Sequence, residues 1–94
     1  MKKYISHLGI RYVPKNKAEA AAQEVAKVMS KRVINENQVE EFKDEFQARI
    51  TEVNREHPRC RDLHLDIYDF NKDGELSFDI SGVTRVNLYM GFEP

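Results

Sequence analysis

Val39, Phe42, Phe46, Ile50 and Val53 recur at spacings of 3, 4, 4 and 3, the period of an α-helix and not of a strand. Glu40, Glu41, Lys43, Asp44, Glu45, Gln47 and Glu52 occupy positions between them. The pattern predicts an amphipathic helix started by Asn35 or Asn37 and stopped at Pro58, since a residue preceding proline is pushed out of the helical region. Upstream, Ala18, Ala22, Val25 and Met29 fall on one helical face with Ala21 and Val28 beside them. Asn16 and Glu19 before this run have the form of a capping box, and Val33-Ile34-Asn35 separates the two helices.

Elsewhere the period is two. Tyr4, Ile5, Ile10, Tyr12 and Val13 predict a first strand over 3–13, with a bulge or bend at Gly9 and an end at Pro14. Leu63, Leu65 and Ile67 alternate with polar residues, and then Tyr68 and Phe70 appear on the opposite parity. Leu76, Phe78 and Ile80 follow, and after Ser81-Gly82 come Val86, Leu88, Met90 and Phe92. These three runs predict an antiparallel meander, so the chain reads β-α-α-β-β-β: an α+β fold with both helices on one face of a sheet.

The connection Asn71-Lys72-Asp73-Gly74 suits a type I turn with a glycine bulge. That turn pairs Asn71 with Glu75, and so sets Phe70 against Leu76 and Tyr68 against Phe78 on one face. The same segment begins a calcium loop: Asp69, Asn71 and Asp73 stand at ligand positions 1, 3 and 5, and Gly74 at position 6. Position 12 is Ile80, where a bidentate carboxylate is needed, and Asp79 comes one residue early. The hairpin is therefore the expectation, with Asp69, Asn71, Asp73 and Asp79 as the metal candidates of the alternative.

Ninety-four residues with no repeat, linker or low-complexity tract predict one domain over 1–94. Charge divides sharply along it. Residues 1–34 carry eight Lys/Arg against two Asp/Glu, and residues 35–94 carry seven against fourteen. The halves are thus +6 and −7, beneath a total of −1. Cys60 is alone, which excludes an intramolecular disulfide and points to a reducing, cytoplasmic setting. The N-terminal stretch lacks the apolar run of a signal peptide, and no segment has membrane-spanning length, so no membrane partner is expected.

Catalytic chemistry finds little to stand on. Four unclustered glycines provide no phosphate cradle, and no nucleophile elbow or dinucleotide fingerprint is present, so neither an enzyme nor a cofactor is expected. His57, Cys60 and His64, with His7 or Asp66 to complete a set, match no standard zinc spacing. What remains is charged surface. The second helix bears an acidic face of Glu40, Glu41, Asp44, Glu45 and Glu52, with Glu36 and Glu56 near its two ends. The expectation is a small protein-binding module, an inhibitor or adaptor of the kind phages and mobile elements encode, which is an analogy of class and not a resemblance of residues. Two alternatives stand beside it: nucleic-acid binding through Lys15, Lys17, Lys27, Lys31 and Arg32, helped by Lys2, Lys3, Arg11, Tyr4 and Tyr12, and calcium binding through 69–79. An unpaired terminal strand also permits a homodimer.

Overall fold

The computed structural model describes residues 3–10, 13–58, 63–70, 75–81 and 86–93. In chain order the elements are β1 (Lys3–Ile10), α1 (Lys17–Ser30), β2 (Ile34–Asn35), a 3-10 turn (Glu36–Gln38), α2 (Val39–Glu56), β3 (His64–Phe70), β4 (Glu75–Ser81) and β5 (Val86–Glu93). The strands form one antiparallel sheet in the order β2-β1-β5-β4-β3. The predicted meander is its right-hand part, and β1 closes against the last strand. Both helices lie on one face, as the pattern required: α1 over β1 and β5, and α2 from β2 at its start to β3 at its end.

Two features of β1 differ from expectation. The described strand spans Lys3–Ile10, and Val13, expected within it, is 84% exposed and outside any strand, while 11 and 12 lie outside the described residues. The strand also runs through Gly9 without a bulge, in unbroken register from Lys3 opposite Glu93 to Ile10 opposite Val86. A long partner strand holds Gly9 in the ladder, opposite Asn87. The break between the helices contains β2, a dipeptide paired with Lys3 and Tyr4, and its Ile34 is buried in the core.

Helix α1 begins where predicted. Asn16 Oδ1 accepts from the Glu19 amide at 2.9 Å. The Glu19 carboxylate reaches one residue further back than a capping box requires, accepting from the Lys15 amide at 3.1 Å and from Asn16 Nδ2 at 3.3 Å. Only 1% of Glu19 is exposed, so these bonds compensate its lost hydration. Ala18, Ala22 and Met29 are buried as expected, Ala26 is buried where Val25 was expected, Val25 is half-buried, and Val28 is exposed. Asn35 and Gln38 cap the turn that leads into α2, through Asn35 Oδ1 on the Asn37 amide and Gln38 Oε1 on the Asn35 amide. All five predicted apolar positions of α2 are buried, and the helix ends at Glu56, with His57 as its C-cap before Pro58.

The hairpin register departs from the turn-based expectation by one residue. Phe70 pairs with Glu75, Asp69 with Leu76, Tyr68 with Ser77, Ile67 with Phe78 and Leu65 with Ile80. Tyr68 does not face Phe78, nor Phe70 Leu76. The reason is the core: a slip of one residue turns a whole strand over, and only this register lets Leu65 and Ile67 share a face with the buried Leu76, Phe78 and Ile80. Phe78 then sits beneath α2, stacked on Phe46 at 5.2 Å and edge-on to Phe42 at 5.4 Å. The turn residues 71–74 lie outside the described residues.

Candidate interaction surfaces

The five acidic residues predicted on α2 do share its outward side, but they are not equivalent. Glu45 is half-buried and pairs with Arg32, which follows α1, and with Arg49 at 3.8 Å. Arg32 also places its guanidinium 5.6 Å from the centre of the Phe42 ring, so the Arg32–Glu45 pair fastens the α1–β2 connection onto α2. Glu52 pairs with Arg55 one turn on. A hydrogen bond from Arg55 is the largest cause holding the Glu52 carboxyl below its ordinary value. Glu40, with 83% of its side chain exposed, meets Lys43 at 3.3 Å. Glu41 and Asp44 are exposed and make no ion pair among the described residues, and Glu36 is exposed in the turn before them. The acidic surface is thus concentrated in the N-terminal half of α2, where carboxylates complement the helix dipole.

The basic candidates are dispersed. Lys15 and Lys17 are exposed at the start of α1, whereas Lys27, Lys31 and Arg32 lie at its far end, about 20 Å away at 1.5 Å per residue. Lys27 pairs with Glu24 at 3.2 Å and Arg32 with Glu45. Of the five, Arg32 carries the one ion pair among the described residues that joins the basic and acidic parts of the chain. Lys2, Arg11 and Tyr12 lie outside the described residues, and Tyr4 is buried.

Of the metal candidates, Asn71 and Asp73 lie outside the described residues, as does Cys60. Asp69 is placed opposite Leu76 and Asp79 opposite Asp66, positions of opposite parity on strands, whereas an EF-hand loop joins helices. His57 ends α2 and His64 begins β3. Among the described residues, no group of three or more His, Cys, Asp or Glu is placed to hold a metal ion, and no helix is long and apolar enough to cross a membrane.

Sequence reasoning missed a second surface. The sheet face away from the helices carries one row of His7, Tyr89, Ser77 and Tyr68, and a neighbouring row that includes Gly9, Asp79 and Asp66. Tyr68 is 48% exposed, and the His7 and Tyr89 rings lie 6.4 Å apart. These residues come from three or four strands, and only strand order and register together bring them into line. Comparison with protein-family models, with curated proteins and with solved structures gave no match.

Proposed function

We propose that the chain is a small non-enzymatic protein-binding module, an inhibitor or adaptor, that engages a basic partner through the N-terminal half of α2. One observation carries this reading: Glu41 and Asp44 stand exposed without an ion pair among the described residues, flanked by exposed Glu36 and Glu40. The apolar stripe of α2 is wholly used in the core, so the helix offers a partner its charge and not its hydrophobicity. Glu40 and Asp44 are like charges four residues apart, which costs an isolated helix about 0.2–0.5 kcal/mol. A lysine- or arginine-rich partner relieves that repulsion and gains long-range steering towards the site. The solitary cysteine suits action in the cytoplasm.

Affinity capture from cells, with and without nuclease, tests the proposal. A protein retained after nuclease treatment, eluted by salt and lost from a Glu41→Lys/Asp44→Lys double variant supports it. Capture unaltered by the double variant contradicts the assignment of the surface, and capture abolished by nuclease contradicts the protein-binding reading itself.

A further inference from the structure

The two edges of the sheet are not alike. On one side β3 is outermost, and it carries Asp66 and Asp69, charges of the kind that keep an edge from pairing with other chains. On the other side β2 covers only Lys3 and Tyr4 of β1. The rest of that strand, 5–10, pairs with β5 alone among the described residues. Its sequence, Ile5-Ser6-His7-Leu8-Gly9-Ile10, contains no Asp, Glu, Lys, Arg or Pro in a chain that is 33% charged, and its register has no bulge to turn the edge away. Protection by charge, proline or bulge is therefore missing from this edge.

Burial changes where β2 stops. Tyr4 is 6% exposed and its partner Ile34 2%, whereas Ser6 and Leu8, on the same face of β1, are only half-buried. Val33, next to β2, is 66% exposed, and Val13, three residues beyond Ile10, is 84% exposed. Exposed apolar side chains thus stand near both ends of a stretch roughly 20 Å long from Tyr4 to Ile10.

The charge around this stretch has one sign. Helix α1 follows the Ile10 end of β1, packs over the strand and returns the chain through β2 to Tyr4, so Lys15 and Lys17 lie towards the first end and Lys31 towards the second. All three are exposed and make no ion pair among the described residues. Residues 1–34, which supply the strand and these lysines, hold eight Lys/Arg against two Asp/Glu.

We infer that the open edge of β1 takes up a strand from a partner protein, an extended segment with apolar residues at alternate positions and Asp or Glu at both ends. The backbone of 5–10 supplies the main-chain pairing, an apolar side chain of the incoming strand lies beside Leu8 at the margin of the core, and the terminal carboxylates meet Lys15, Lys17 and Lys31. A second copy of this chain fits worse, because pairing β1 with β1 brings two basic segments together. The inference goes beyond the α2 reading and does not depend on it: the two surfaces carry opposite charge and take different segments, which suits an adaptor.

The test is amide hydrogen exchange and chemical-shift titration of the intact protein with a short blocked peptide of alternating valine and threonine that has two glutamates at each end. Beside it are a version with lysine ends and a version with proline at two central positions. The glutamate-ended peptide is expected to slow exchange of the edge amides within 5–10 and to shift Ser6 to Ile10. The proline version, which lacks central N–H donors, gives no protection, and the lysine-ended version binds about tenfold more weakly at low salt. Lys15→Glu and Lys31→Glu each weaken binding of the glutamate-ended peptide by about two- to fivefold, the worth of an exposed ion pair. Glu41→Lys/Asp44→Lys retains it, which separates this edge from the α2 surface. Unprotected amides at 5–10, equal binding of the proline or lysine-ended version, or a concentration-dependent dimer that already protects these amides in the free protein overturns the inference. The comparison of peptides on the unaltered protein does not depend on any variant folding.

Discussion

Asn54 near the end of α2 holds both backbone groups of Leu63. Its Nδ2 donates to the Leu63 carbonyl at 2.8 Å and its Oδ1 accepts from the Leu63 amide at 2.9 Å. One side-chain amide thereby imitates a strand partner and sets the point at which the chain enters β3, with Leu63 buried. Asparagine is required because the clip uses one donor and one acceptor; aspartate keeps only the acceptor. Asn54→Ala leaves the Leu63 groups unpaired and lowers stability by about 1–3 kcal/mol in urea unfolding, and Asn54→Asp does not restore it. Stability of Asn54→Ala equal to that of the parent protein contradicts this role.

Phe46 and Phe78 join α2 to the middle of the sheet, with ring centres 5.2 Å apart and planes 15° from parallel. Both are fully buried, so truncation leaves a cavity that the helix and sheet close only in part. Phe46→Ala costs about 3–5 kcal/mol, read from thermal or urea unfolding, and Phe46→Leu costs less because most of the volume is kept.

Ser6 brings a polar atom into the helix-facing side of the sheet, opposite Met90. Its Oγ is buried and has no hydrogen-bond partner among the described residues. A buried hydroxyl without a partner forfeits its hydration for nothing, so Ser6→Ala raises stability by about 1 kcal/mol. Loss of stability in Ser6→Ala, measured in the same assay, contradicts the assignment.

Glu52 illustrates how little an exposed pair contributes. The Arg55 hydrogen bond, with coulombic attraction beside it, holds the Glu52 carboxyl below its ordinary value. A carboxyl depressed in the folded state adds stability above its unfolded value, and this is lost as pH falls through the lower, folded value. Arg55→Ala therefore moves the Glu52 titration midpoint upwards in a side-chain carboxyl titration. The accompanying change in stability at neutral pH is small, because solvent screens the pair.

Helix α2 was legible from five apolar residues at an unbroken helical period, and Asn16 identified the start of α1 by its side-chain chemistry. The hairpin register was not. Over Asn71 to Gly74, local turn preference favours one pairing and the parity of Leu65 and Ile67 favours another. The second prevails because it buries more apolar surface. β2 escaped notice because two residues have no period; Ile34 is recruited by pairing with Tyr4 and by the core beneath it. The acidic face of α2 was visible as a composition, but which carboxylates are engaged depended on Arg32 arriving from another segment. The row of Tyr68, Ser77 and Tyr89 was invisible for a related reason, since these residues line up only when three strands are ordered and registered.

The central claim is that the N-terminal half of α2 binds a basic protein. Its most direct measurement is an amide chemical-shift map of this protein on addition of the partner obtained by affinity capture. Changes concentrated at 36–45, weakening as salt rises, are the predicted result. A map that leaves 36–45 unmoved while the partner is bound contradicts the account.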